Sequence, residues 1–127
     1  MNSRPQGLRI LIVDDNDDHA TSLMKLLQLH GFESHTCVYS KNCLALVEQM
    51  RPDVLLLDLM MPSMNGFDIA EELQLNPDLR PQCLVAVTGH GQESDRKKTK
   101  DSGFDHHLLK PVNLQELLSI LNSVQQR

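Results

Sequence analysis

Four short apolar runs, each ending in a chemically loaded residue, constrain the fold of this chain more than any other feature. Residues Ile10, Leu11, Ile12 and Val13 lead into Asp14 and Asp15. Residues 54–57 lead into Asp58, residues 84–87 into Thr88, and Leu108 and Leu109 into Lys110 and Pro111. Runs this short and this uniformly apolar, separated by stretches of helical period, read as parallel strands buried on both faces. Parallel strands share a direction, so their carboxyl ends line one edge of the sheet, where open α/β sheets bind ligands. The pattern therefore predicts three carboxylates, a hydroxyl and an ammonium at one place.

Between the runs the period changes. Ala20, Leu23, Met24 and Leu27 recur at helical spacing on one apolar face, and His30-Gly31 closes that helix. Residues 32–37 read as a second strand. Ser40 reads as the cap of a helix carrying Leu44, Val47 and Met50, which Pro52 stops. Phe67, Ala70 and Leu73 mark a third helix, broken at Asn76-Pro77. The fourth, over 93–102, is odd. It carries Arg96, Lys97, Lys98 and Lys100, with only Thr99 and Ser102 as small inward candidates, and Gly103 ends it. Little packing should hold such a helix, which predicts a mobile basic element. Asn113 and Glu116 resemble a capping box before a last helix with Leu114, Leu117, Leu118 and Leu121 on one stripe. Five strands alternating with five helices and joined by right-handed crossovers make an α/β fold, a doubly wound parallel sheet covered on both faces. Residues 1–7 read as a flexible tail and residues 8–126 as one domain.

A length of 127 residues fits that single domain. A net charge of −5 argues against general nucleic-acid binding, and the four aromatic residues (Phe32, Phe67, Phe104, Tyr39) offer no base-stacking platform. No apolar run approaches the ~20 residues that span a bilayer, and residues 1–5 lack a signal-peptide core, so a cytoplasmic chain is expected. Cys37, Cys43 and Cys83 form no CxxC pair and read as small buried hydrophobes of a reducing compartment.

The chemistry of the predicted cluster comes from its charge. Two carboxylates ~4 Å apart repel by roughly 4 kcal/mol at an effective dielectric near 20. Three of them need a cation or a proton. Mg²⁺, a hard ion that takes carboxylate, phosphate and water oxygens, is the natural occupant. Lys110 and Thr88 would meet phosphoryl oxygens, and Asp58, on the central strand, would be the nucleophile. An aspartate at a strand end is also an ordinary helix cap, and Asp14 or Asp15 taken singly reads that way. It is the joint placement at four strand ends that favours a site.

The segments 11–16 (LIVDDN), 57–66 (LDLMMPSMNG), 87–89 (VTG) and 109–111 (LKP) resemble the receiver domain of two-component response regulators. The resemblance runs from about residue 8 to residue 126. It implies a flavodoxin-like fold with strand order 2-1-3-4-5. It implies Asp58 as phosphoacceptor, Asp15 on Mg²⁺ directly, Asp14 mostly through water, and the Met60 carbonyl as a further metal ligand. Thr88 would move with the phosphoryl group, Lys110 would bridge to Asp58 or its phosphate, and the bond before Pro111 would be cis. The donor would be a sensor histidine kinase or a histidine phosphotransfer protein. The response would lie on the face of the fourth helix, fifth strand and fifth helix, through which a homodimer would also form. His107 stands where such domains often carry a rotating Tyr or Phe. With the phrase at 103–112 (GFDHHLLKPV), it resembles the receivers of hybrid sensor kinases. The chain is thus expected as a stand-alone regulator or as part of a larger, membrane-anchored kinase.

Three rival readings fit less well. A haloacid-dehalogenase-type phosphatase would need a second aspartate two residues after its nucleophile, where this chain has Met60. A flavodoxin-like cofactor binder would need a Gly/Ser/Thr-rich loop after the first strand, where Asp14, Asp15, Asn16, Asp17 and Asp18 stand. An interaction module that is never phosphorylated would not need the full set of residues.

Overall fold

The computed structural model describes residues 7–59, 61, 66–89 and 93–125, the side chains of 93–96 and 125 excepted. The elements are β1 (Arg9–Val13), α1 (Asp17–Leu29), β2 (Glu33–Cys37), α2 (Cys43–Met50), β3 (Val54–Asp58), α3 (Gly66–Leu75), β4 (Cys83–Thr88), α4 (Glu93–Asp101), β5 (His106–Leu109) and α5 (Leu114–Gln125). All strand pairs are parallel and the order is β2-β1-β3-β4-β5. This is the doubly wound, flavodoxin-like arrangement expected from the sequence.

Strand alternation sorts the sheet into two cores. Ile10, Ile12, Val54, Leu56, Val85 and Val87 face α1 and α5, where they meet Leu23, Leu27, Leu117 and Leu121. Leu11, Val13, Leu55, Leu57, Leu84 and Ala86 face the opposite way, against Val47 of α2 and Ile69 and Leu73 of α3. β3 is buried along its whole length, because it is central and covered on both sides. The three cysteines lie in these cores, and burial pushes the Cys43 thiol up to about 12 and the Cys83 thiol up to about 11. They behave as the small hydrophobes the sequence predicts.

Helix ends obey local chemistry. Gly31 and Gly103 take φ of 90° and 96° just beyond α1 and α4, a conformation that costs glycine least. The Asn113 side chain accepts from Glu116 N at 2.9 Å and caps α5. Ser40 departs from expectation. It is buried and opens a short 3-10 turn, Ser40–Asn42, so α2 begins only at Cys43 and has no side-chain cap. Asn42 N instead donates to Tyr39 O at 2.9 Å, a backbone bond within the turn. Among the described residues no helix is long and apolar enough to cross a membrane.

Candidate functional site

Register brings the strand ends level with one another. Val13 lies opposite Leu57, so Asp14 and Asp58 are adjacent as their strands end. Asp58 in turn lies opposite Val87, and Thr88 opposite Leu109, which places Lys110 next in line. Asp14, Asp58 and Thr88 are buried, at 4%, 3% and 3% exposure, while Asp15 is exposed. Gly66 brings the start of α3 against this edge. A Cβ there would sit 2.9 Å from Asp58 O and 2.8 Å from Leu59 Cδ2, so a side chain would push α3 off the strand.

Carboxylate oxygens of Asp14, Asp15 and Asp58 lie within 4.8 Å of one another. Lys110 Nζ donates to Asp58 Oδ2 at 2.9 Å and lies 3.9 Å from Asp14 Oδ2. The backbone of Lys110 is fixed by its N–H, which donates to Thr88 O at 2.8 Å. The bond from Lys110 to Pro111 is cis, as the resemblance implies. The electrostatics are consistent with this geometry. Burial alone would raise the Asp14 pKa. Hydrogen bonds from His19 and Asn16, the Lys110 charge and a hydrogen bond with Asp58 more than offset it, and the carboxyl sits below its ordinary value. For Lys110, burial works to lower the pKa, but Asp58, Asp14 and Asp15 outweigh it and raise it. One ammonium among three acids leaves a negative, all-oxygen cluster suited to a hard divalent cation.

Over residues 10–122 the sequence matches the response regulator receiver domain. The chain belongs to that family. The receiver is 34% identical to PilH of Pseudomonas aeruginosa, over 91% of this chain and 96% of that protein. It is 32% identical to the response regulator MprA of Mycolicibacterium vanbaalenii over 94% of this chain, and spans about half of that protein, 51%. Among solved structures it resembles the chemotaxis protein CheY4 of Vibrio cholerae, with 26% identity, a TM-score of 0.84, and coverage of 92% and 98% of the two chains. A CheY-like receiver from Methanospirillum hungatei is 28% identical with a TM-score of 0.81, over 94% of each chain. This places the receiver in two-component signal transduction.

Of the remaining predicted residues, Met60 lies outside the described ones. His107 is half-buried on β5, opposite Ala86, and its Nδ1 is 3.1 Å from the hydroxyl of Thr99. Among the described side chains of α4, Thr99, at 2% exposure, is the inward one, as the sequence predicts, and Ser102, just past the helix, is half-buried. Neither Asp14 nor Asp15 caps α1. Asn16 does, accepting from His19 N at 3.0 Å, which leaves both aspartates to the site.

The sequence reading assigned no role to His19. In the receiver its Nδ1 lies 2.6 Å from Asp14 Oδ2. The signal was available. With Asn16 as cap, His19 is the third helical residue, and a side chain there reaches back toward the strand end.

Proposed function

We propose that this receiver accepts a phosphoryl group from a phosphohistidine onto Asp58, with Mg²⁺ held by Asp14, Asp15, Asp58 and the Met60 carbonyl. The observation that carries this reading is a buried Asp58 beside two further carboxylates, with the Lys110 ammonium 2.9 Å away. A buried carboxylate flanked by a cation is a desolvated nucleophile with a counter-charge already in place. An Asp58 oxygen bonds to phosphorus as the phosphorus–nitrogen bond of the donor breaks, and the imidazole leaves. Lys110 and the Thr88 hydroxyl stabilise the transferred oxygens. Bound Mg²⁺ would supply charge that offsets repulsion between these acids and the incoming phosphate.

The donor is a sensor histidine kinase or a histidine phosphotransfer protein. The receiver controls its own phosphorylation and dephosphorylation and turns over no separate substrate, in keeping with Met60 where a phosphatase would place an acid. Phosphorylation biases a two-state equilibrium at α4, β5 and α5. That face carries the Thr99–His107 contact in place of an aromatic switch, and it serves as the homodimer surface. His107 and its flanking phrase favour a receiver from a hybrid kinase working in the cytoplasm. Phosphotransfer profiling tests the donor class. Label should leave at least one phosphohistidine protein for this chain in Mg²⁺. Retention of label by every kinase and phosphotransfer protein tried would contradict the reading.

A further inference from the structure

The first turn of α1 closes on Asp14 through three hydrogen bonds. Asn16 N donates to Asp14 Oδ1 at 3.0 Å, His19 N donates to Asn16 Oδ1 at 3.0 Å, and His19 Nδ1 lies 2.6 Å from Asp14 Oδ2. An ionised carboxylate only accepts, so in this contact Nδ1 carries the hydrogen. Each oxygen of Asp14 therefore has a donor fixed by the helix start. The His19 side chain is 35% exposed and that of Asp14 only 6%, so a partly solvated ring donates to a buried carboxylate.

The cap of α1 does not require this ring. Asn16 already satisfies the His19 backbone N–H, and it does so through the peptide, whatever the side chain at position 19. The imidazole adds one thing only, a donor on a carboxylate whose oxygens lie within 4.8 Å of those of Asp15 and Asp58.

We propose that His19 is a positioning residue for the divalent-cation site, holding the Asp14 carboxylate in one orientation against Asp15 and Asp58. The inference rests on reading these three acids as the Mg²⁺ site. Without the imidazole, Asp14 keeps its Oδ1 bond to Asn16, but its Oδ2 loses its 2.6 Å partner and retains Lys110 only at 3.9 Å, so the carboxylate is held less firmly in one orientation. Binding a cation would then have to order it again. Partners that orient a metal-binding group typically change affinity by about 10–100-fold. Asparagine gives a specific control, because its Nδ2 can occupy the place of histidine Nδ1 and make the same donation.

The test is calorimetric titration of Mg²⁺ into the full chain and its variants, with circular dichroism to establish that each is folded. His19→Ala should weaken Mg²⁺ binding about tenfold, and His19→Asn should restore most of the loss. Equal affinity in the parent and His19→Ala, or no recovery in His19→Asn, overturns the role of His19 while leaving the site intact. A parent that binds no Mg²⁺ overturns the reading of the site, and this proposal with it. Nitrogen-15 NMR of the parent's ring examines the same contact without substitution. Nδ1 should carry a proton and shift on Mg²⁺ addition, and an unprotonated Nδ1 overturns the proposal.

Discussion

Lys110 Nζ and Asp58 Oδ2 meet at 2.9 Å although 52 residues separate them in the chain. The contact is set by the ends of β3 and β5, with β4 between them. It gives the buried Asp58 a counter-charge on one side while the acids of the β1 end crowd the other. Removing that ammonium should leave the fold and lose the chemistry. Lys110→Met should remain folded by circular dichroism, yet take phosphate from a small phosphodonor about 100-fold more slowly, the scale set by losing one charge-stabilising donor. A parent-like rate would remove Lys110 from the mechanism.

Crowded acids have a cost when no cation is present. At an effective dielectric near 20, carboxylates ~5 Å apart repel by roughly 3 kcal/mol per pair. Asp58→Asn relieves this and gives up the Lys110 ion pair, whose ammonium is partly exposed and therefore screened. The variant should melt about 3–6 °C above the parent in chelator. Mg²⁺ should raise the parent's melting temperature more than the variant's. A variant that melts lower than the parent without metal would contradict the electrostatic account.

Asp14 predicts a pH dependence. Its pKa in the fold lies below the ordinary 3.8, because its hydrogen-bond donors and Lys110 overcome the effect of burial. A depressed carboxylate contributes stability above its unfolded pKa and loses it as pH falls through the folded value. In chelator, the urea midpoint of the parent relative to Asp14→Asn should therefore hold steady between about pH 5 and 7 and decline below about pH 4. A relative gain in stability on acidification would reverse the sign and refute it.

The helix α4 should be the least protected of the five. Its described anchors are Thr99, bonded to His107, and Lys98, whose ammonium lies 4.4 Å over the Phe67 ring. By comparison α5 buries Leu117, Ile120, Leu121 and Val124. Amide exchange in α4 should be at least about tenfold faster than in α5. Thr99→Val, which keeps the shape and loses the hydroxyl, should cost about 1 kcal/mol and speed exchange further. Protection in α4 equal to that in α5 would remove the basis for a mobile α4.

The sheet and its loaded edge were legible because strands buried on both faces leave uninterrupted apolar runs, and the residue that ends such a run stands at the strand's carboxyl end. Gly31, Gly103 and Asn113 were legible because positive φ and helix capping narrow the choice of residue. Ser40 misled, since the hydroxyl that caps helices also suits a buried turn. His19 was not read because its partner depends on where α1 begins, and one residue of uncertainty there turns the side chain about 100° around the helix. The Thr99–His107 contact joins two elements whose separation no periodicity records, as does the edge-to-face packing of Phe67 on Phe104 at 6.2 Å.

Intact-mass analysis after incubation with Mg²⁺ and a small phosphodonor tests the central claim most directly. The parent should gain the mass of one phosphoryl group, and neither Asp58→Ala nor the parent in excess chelator should gain it. A parent that stays unmodified, or an Asp58→Ala variant labelled as fully as the parent, would contradict the account.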